Sequence, residues 1–396
     1  MLTRIEIQNF RSCHDVVLDD LGPLTVLVGR NAVGKTNILR AIHWLSRTAT
    51  SVIANESVGR PAHFSVQAAI GNAVYQYALK FNLFFTSQPD VRLESDVVES
   101  LRYGEPGGAQ HTVLERRNDK LQLSLPATPE RVNIGKTVPC MPALVSLLPP
   151  ASPAVDLIQP FLSAVEAIRY YPLVRDENSA DDAPVVLQDA YDQWLARYRG
   201  AGDPGASVLM RLLHMFLARR SQFEEVQSLL GPDGLGLLDG ILIDTESDRK
   251  PKGQDALNRY HLVVFTPSLQ SDDDPGLYSF RDLSAGTQRV IKILVSLLFD
   301  QPSVMLLEHP EECIHGGLLR KLIDLLRGYS DQSQLIISSH SPVVFNSLDP
   351  EAVRLVTMDQ GKTKVRALTP VEMEAVGKYL EDEGSLADFL ETVEGE

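Results

Sequence analysis

Eight consecutive residues, Gly29-Arg30-Asn31-Ala32-Val33-Gly34-Lys35-Thr36, have the types and spacing G-x-x-x-x-G-K-T. Glycines at both ends let the backbone curl so that successive N–H groups converge on phosphate oxygens. The Lys35 ammonium has the reach for β- and γ-phosphates, and the Thr36 hydroxyl suits Mg²⁺. Asn31 inside the stretch and Asn37 just after it are further candidate nucleotide contacts. Far downstream, Ser303-Val304-Met305-Leu306-Leu307-Glu308 is an apolar run ending in a carboxylate. An acid at the C-terminal tip of a buried parallel strand is where a phosphate-loop fold holds Mg²⁺, directly or through water. Thr36 and Glu308 are therefore the expected metal ligands, and a nucleoside triphosphate is the implied ligand.

This chemistry needs a strand feeding the loop and a helix leaving it. Leu24 to Val28 is apolar enough for the strand. Asn37-Ile38-Leu39-Arg40-Ala41-Ile42-His43-Trp44-Leu45 continues as the helix, with the positive end of its dipole at the phosphates. Residues 2–8 alternate as a half-buried strand does, and Val16 to Leu18 reads as a second short strand. Between them, Arg11 and Phe10 stand where an adenine could be stacked or a phosphate touched. A core Phe beside a surface Arg explains the same pair equally well.

From about residue 60 to 125 the pattern becomes antiparallel β. His63 to Ile70, Gly71-Asn72 and Val74 to Leu83 read as a hairpin; Val91 to Tyr103, His111 to Glu115 and Leu121 to Leu125 read as further strands. Pro126 to Pro153 is Pro-rich and expected to be irregular. Helices are predicted over Ala154 to Ala167, Pro184 to Tyr198 and Ala206 to Leu230, with a short strand at Ile168 to Tyr171 and an acidic loop from Asp176 to Asp182. Leu209, Leu212, Leu213, Phe216 and Leu217 make one apolar stripe, read as core packing or, less simply, as a partner-binding face. Arg219-Arg220 and Arg249-Lys250-Pro251-Lys252 are short basic runs that suit a solvated surface or a nucleic-acid contact. The strand Arg259 to Phe265 is expected to resume the core.

Three later stretches depend on the first. Asp282-Leu283-Ser284-Ala285-Gly286-Thr287-Gln288-Arg289 precedes the apolar helix Val290 to Phe299; Ser284 can cap it, and Gly286 keeps its entrance open to an anion. This resembles the L-S-G-G-Q signature of ABC-type ATPases, with Ala285 and Thr287 as variants. The continuation of the acidic strand, His309-Pro310-Glu311-Glu312-Cys313-Ile314-His315, resembles the D/E-E-P-E-x-x-I/L-H pattern of the same ATPases. In Gln334-Leu335-Ile336-Ile337-Ser338-Ser339-His340-Ser341-Pro342, a buried strand ends at His340, which matches their switch histidine. With Ile5-Glu6-Ile7-Gln8-Asn9-Phe10-Arg11-Ser12, the resemblance is to the RecF/SMC/OLD group; it covers residues 1–48 and 259–358 closely, with Arg169-Tyr170-Tyr171-Pro172 the best match between them.

The resemblance implies an α/β fold, a P-loop NTPase of ABC-ATPase type with a mixed central sheet, an antiparallel β-subdomain and an inserted helical region. It implies ATP and Mg²⁺ as ligands. It also implies a head-to-tail homodimer or higher homo-oligomer. Lys35, Thr36, Glu308 and His340 of one copy would face Ser284 and Gly286 of the other, so that ATP closes the pair and hydrolysis opens it. One departure matters: His309 stands where the family carries the carboxylate that activates the attacking water. An imidazole accepts a proton at neutral pH, but its cation sits badly near Mg²⁺. Slow hydrolysis is expected, unless Glu311 reaches the water or a partner supplies the base. The implied segments are 1–60, the N-terminal part of the core; 61–125, the β-subdomain; 126–256, the helical insertion; 257–358, the C-terminal part of the core; and 359–396, a last strand and acidic tail.

Bulk properties bound the rest. At 396 residues the chain is too long for one core. The net charge of −15 argues against a generally basic nucleic-acid binder, yet nine acids against the single Lys378 lie after Pro370, which leaves room for a local basic groove. Cys13, Cys140 and Cys313 lack metal-ligand spacing and read as reduced thiols of a cytoplasmic protein. No apolar run approaches membrane-spanning length, and the N-terminus alternates as a strand, unlike a signal peptide. No heptad arms of SMC type appear, and the stretch after the core is too short for the nuclease domain of OLD proteins. Small ATPases of this kind resemble those encoded beside a nuclease or toxin in bacterial defence operons, so an effector partner is expected. DNA binding of RecF type is the alternative.

Overall fold

The computed structural model describes residues 1–50, 62–84, 94–124, 130–135, 140–172, 184–198, 207–248, 258–267, 276–381 and 384–394. The basic run 249–252 and the acidic loop 176–182 lie outside the described residues. The chain forms two compact units: residues 1–171, 303–309 and 327–396 make the first, residues 172–302 and 310–326 the second.

The first unit opens with β1 (Leu2–Phe10), β2 (Cys13–Leu18), β3 (Leu24–Val28) and α1 (Lys35–Thr50). Strands β4 (Ala62–Ile70), β5 (Ala73–Phe84), β6 (Glu94–Gly104), β7 (His111–Arg117), β8 (Lys120–Leu123) and β9 (Glu130–Asn133) follow. Helices α2 (Cys140–Leu147) and α3 (Pro153–Glu166) lead to β10 (Ile168–Tyr171). The second unit supplies β11 (Val185–Leu187), α4 (Gln188–Arg197), α5 (Val208–Ala218), α6 (Arg220–Leu230), β12 (Leu238–Asp248), β13 (Asn258–Pro267) and α7 (Ala285–Asp300). After them come β14 (Val304–Glu308), α8 (Gly316–Tyr329), β15 (Gln334–Ser339), α9 (Pro342–Phe345), β16 (Val353–Asp359), β17 (Lys362–Arg366), α10 (Pro370–Glu381) and α11 (Leu386–Glu394).

Two sheets build the first unit. The six-stranded sheet has the order β10-β14-β15-β3-β16-β17, parallel throughout except for the antiparallel edge strand β17. Its inner strands are continuous apolar runs because both faces are covered; Met305, Leu306, Leu307, Leu335, Ile336 and Ile337 are all fully buried. The eight-stranded sheet is antiparallel, in the order β2-β1-β4-β5-β6-β7-β8-β9. The buried Gln334 side chain fastens β15 to the start of the chain: its Oε1 accepts from Leu2 N at 2.7 Å, and its Nε2 donates to Leu2 O and Gly22 O.

Several expectations change. The strands of residues 1–18 belong to the antiparallel sheet, so a boundary at residue 60 does not separate the sheets. Ile5 lies opposite Val66 and Ile7 opposite Phe64, and these four alternate residues share one buried face. Residues 126–153 contain β9 and α2 where an irregular stretch was expected. Residues 184–187 begin as a strand, β11, paired with β13, before helix α4 starts. The strand at 259–265 does not rejoin the core sheet: β13 is the middle of a separate sheet, β11-β13-β12, in the second unit. The expected helix 206–230 breaks at Arg219, whose backbone leaves the helical region (φ −138°). That break lets the guanidinium lie 4.9 Å from the Phe299 ring and donate to Phe299 O and Tyr198 Oη. The acidic tail forms two helices, α10 and α11. Among the described residues no helix is long and apolar enough to cross a membrane.

Candidate nucleotide site

The strand order explains why distant residues meet. In β14-β15-β3 the three neighbours run parallel, so the ends of all three strands reach the same edge: Glu308 closes β14, His340 follows β15, and the glycine loop follows β3. Ligands of open α/β sheets bind at such carboxyl ends.

The loop is held from behind by β17. Thr363 Oγ1 donates to Val33 O at 3.0 Å, and Thr363 N donates to Ser12 O at 2.9 Å. The Ser12 hydroxyl lies 2.7 Å from Thr363 Oγ1 and accepts from Asn37 Nδ2 at 2.8 Å. Gly34 has φ +106°, and a Cβ there would fall 2.0 Å from Thr363 Oγ1. Both the backbone angle and the space therefore demand glycine. Helix α1 begins at Lys35, and the buried Lys35 ammonium donates to the carbonyls of Gly29 (2.5 Å) and Arg30 (2.9 Å).

Glu308 is the meeting point of the acidic end. One carboxylate oxygen accepts from the Thr36 hydroxyl and the other from the Tyr170 hydroxyl of β10. Burial first, then the contact with Glu308, pushes the Tyr170 phenol up to about 12, so Tyr170 holds its proton and donates. Hydroxyl and carboxylate oxygens are the donor set of a hard cation such as Mg²⁺; Thr36 and Glu308 fit that ion, and Lys35 with the loop N–H groups fits the phosphates it accompanies.

His309 follows Glu308 with a left-handed backbone (φ +45°), and its N–H donates to Ser338 O at 3.0 Å. From this position its Nδ1 lies 3.2 Å from Nδ1 of His340, with ring centroids 5.0 Å apart at 61°. A cavity of about 220 Å³ adjoins Gly29, Asn31 and His340 on its polar side and Phe345, Ala387 and Leu390 on its apolar side. The N-terminus of α11 is docked there, Ala387 N donating to Asn346 Oδ1 at 2.8 Å.

Phe10 is fully buried against Trp44 and Phe64, so it is a core residue that no adenine can reach. Arg11 is exposed, with its guanidinium 5.5 Å from the Phe10 ring. Ser284, Gly286 and Glu311 belong to the second unit. Ser284 caps α7, its hydroxyl accepting from Thr287 N at 3.1 Å. A Cβ on Gly286 would fall 2.4 Å from Cys313 O, so glycine here is a matter of close backbone approach. Glu311 O accepts from Ile314 N in the turn after β14. Sequence reasoning missed Thr363, and it singled out Tyr170 and Ser12 only as parts of matching motifs. No local pattern points to Thr363, because its role rests on β17 lying beside the loop.

A family model described as "AAA domain, putative AbiEii toxin, Type IV TA system" matches residues 144–346, just over half of the chain. The chain belongs to this AAA family. A second model, "AAA ATPase domain", matches residues 1–92 of the AAA chain. Local relatives include the DNA replication and repair protein RecF of Lactococcus lactis subsp. cremoris, 51% identical over 47 residues, which are 12% of this chain and 13% of RecF. The OLD nuclease of Thermus scotoductus is 57% identical over 42 residues, 11% of this chain and 8% of that nuclease. These matches span about an eighth or less of the relatives' length. Among solved structures, an SMC head bound to the C-winged helix domain of ScpA aligns over 95% of this chain and 99% of that one at 14% identity, with a TM-score of 0.47. The SMC head domain from Thermotoga maritima aligns over 93% and 99% at 13% identity, with a TM-score of 0.41. The phosphate loop on a parallel sheet, the acidic strand tip and the AAA family together make this a P-loop ATPase fold.

Proposed function

We propose that this AAA protein is a slow Mg²⁺-dependent ATPase that pairs head to tail and acts as a nucleotide-controlled clamp on an effector. The observation that carries the reading is His309 at the end of β14, its Nδ1 3.2 Å from that of His340, in the place where the family carries a carboxylate. ATP with Mg²⁺, when bound, supplies the phosphoryl group and the counter-charge. Lys35 and the loop N–H groups bind phosphate oxygens; Thr36 and Glu308 orient the cation; Tyr170 keeps Glu308 in place. His340, at the end of β15, contacts the terminal phosphate. When His309 donates from Nδ1 to His340, its Nε2 is the basic nitrogen, and a water's proton goes there. The resulting imidazolium lies beside the cation site, which disfavours the transfer. General bases contribute about 10²–10⁴-fold, so a poor one leaves a long-lived bound state.

In the same proposal Ser284 and Gly286 at the start of α7 face the nucleotide of a second copy, as a capped helix N-terminus can. Asn31, Asn37, Arg11 and Glu311 are secondary candidates around the nucleotide. The toxin–antitoxin wording of the family description supports a defence-related setting; a nuclease or toxin effector and a cytoplasmic location rest on the sequence resemblance alone.

The test is steady-state hydrolysis with Mg²⁺ by the native protein, Lys35→Ala and His309→Glu, with light scattering in the presence and absence of ATP. Loss of turnover in Lys35→Ala, a gain of up to about a hundredfold in His309→Glu, and an ATP-dependent dimer lost in Ser284→Arg are expected. An unchanged or lower rate in His309→Glu sinks the slow-base reading.

The local match to RecF, 51% identical over 47 residues, favours a second reading, a DNA-binding ATPase. It requires binding to gapped or duplex DNA that weakens steeply between 50 and 200 mM salt, on the order of 10³-fold for six phosphate contacts.

A further inference from the structure

We infer that His309 and His340 form the core of a second metal site, selective for a borderline-soft divalent cation of the zinc class and distinct from the oxygen pair Thr36–Glu308. Three observations carry it. The two Nδ1 atoms face each other at 3.2 Å. Two imidazoles on one tetrahedral ion, with metal–nitrogen bonds of about 2.0–2.1 Å, hold their nitrogens about 3.3 Å apart, so the rings already have nearly the bite that such an ion needs. When both rings carry their proton on Nε2, each Nδ1 can act as a metal ligand.

The positions are also fixed. His309 and His340 lie at the ends of adjacent parallel strands in one sheet, β14 and β15, with Glu308 opposite Ser338. His309 keeps a left-handed backbone, a conformation that persists in a non-glycine residue only where its surroundings hold it. Donor chemistry separates the two sites: imidazole prefers Zn²⁺, Cu²⁺ or Ni²⁺, whereas hydroxyl and carboxylate prefer Mg²⁺. Exposed His340 and half-buried His309 leave an entry path from solvent.

An ion held by both Nδ1 atoms takes the place of the proton that His309 otherwise donates to His340. It fixes His309 in the Nε2–H tautomer, in which that nitrogen cannot accept a proton from water. Zinc-class ions therefore switch hydrolysis off while Mg²⁺ supports it. Only this effect on turnover rests on the function proposed above; the binding stands on the geometry alone.

The experiment titrates the full chain with Co²⁺, following the visible bands of a low-symmetry nitrogen-ligated ion, and then displaces it with Zn²⁺. The same titration is run on His309→Asn and His340→Asn, with circular-dichroism melting to confirm that each is folded. The expected result is a one-to-one titration whose affinity falls about 10–100-fold or more in each folded variant, since even outer-shell partners of ligands cost that much. Equal titration of the native chain and both folded variants, or no cobalt bands in any, overturns the site. In parallel, hydrolysis is measured at saturating Mg²⁺ with added Zn²⁺. Inhibition reversed by a chelator in the native chain supports the switch. Cobalt binding at the pair without any effect of Zn²⁺ on turnover keeps the site and overturns the reading of His309 as base.

Discussion

The Tyr170 hydroxyl donates to one carboxylate oxygen of Glu308 while the Thr36 hydroxyl donates to the other. A residue from the edge strand β10 thus orients the acid that closes β14, the strand beside it.

Tyr170→Phe removes that bond together with the longer one, 3.5 Å, that Arg40 Nε donates to the same hydroxyl. The Mg²⁺ concentration for half-maximal turnover is expected to rise about tenfold, matching a hydrogen bond to a charged group of about 1.5 kcal/mol, with little change in melting temperature. A Mg²⁺ titration of turnover checks it; an unchanged Mg²⁺ requirement removes Tyr170 from the site.

Gly34→Ala forces a Cβ against Thr363 Oγ1 at a backbone angle that alanine avoids. Loss of ATP binding is expected, read by a fluorescent nucleotide analogue. Thr363→Val leaves the Val33 carbonyl without this donor and is expected to cost about 1–3 kcal/mol in urea unfolding, and to weaken ATP binding less than Gly34→Ala does.

Inside the antiparallel sheet, Arg116 and Glu99 are a fully buried pair at 3.4 Å. Tyr77 Oη also donates to Glu99, and Arg116 donates to Asn118 O and Gly135 O. Arg116→Met alone strands the carboxylate and is expected to cost about 3–5 kcal/mol. Arg116→Met with Glu99→Leu should recover part of that loss. Urea unfolding of the three variants decides; a double variant less stable than the single one would contradict this account.

At the start of α10, Thr369 N donates to Glu372 and Glu372 N donates to Thr369 Oγ1, a reciprocal cap. The Arg366 guanidinium, then this cap, holds the Glu372 carboxyl down to about 2. A depressed carboxylate contributes stability above its ordinary value near 4.5, and that contribution is lost as pH falls from there through about 2. Because the Arg366 side chain is nearly half exposed, the contribution is small, roughly 1 kcal/mol at most. Carboxyl NMR titration should give a midpoint near 2 for Glu372, moving up in Arg366→Met; a midpoint near 4.5 in the native chain would contradict it.

Much of the site was legible because its chemistry is local. The glycine loop, the apolar run ending at Glu308 and the strand before His340 are each written in consecutive residues. The hairpin β4–β5 was readable for the same reason, with the Gly71-Asn72 turn between alternating strands. What escaped depends on which strands become neighbours. Nothing near Ile5 says that it pairs with Val66, and nothing near β13 says that it joins β12 instead of the core sheet. The break at Arg219 is set by Phe299 and Tyr198, far along the chain, whereas its own neighbours favour helix.

The bond from Thr363 to Val33 joins residues 330 positions apart. During synthesis at about 5–20 residues per second, the phosphate loop leaves the ribosome roughly 15–65 seconds before the strand that locks it. A ribosome stalled anywhere in that interval carries a recognisable loop with no brace behind it. Bracing of the phosphate loop is thus a late event in the life of each chain.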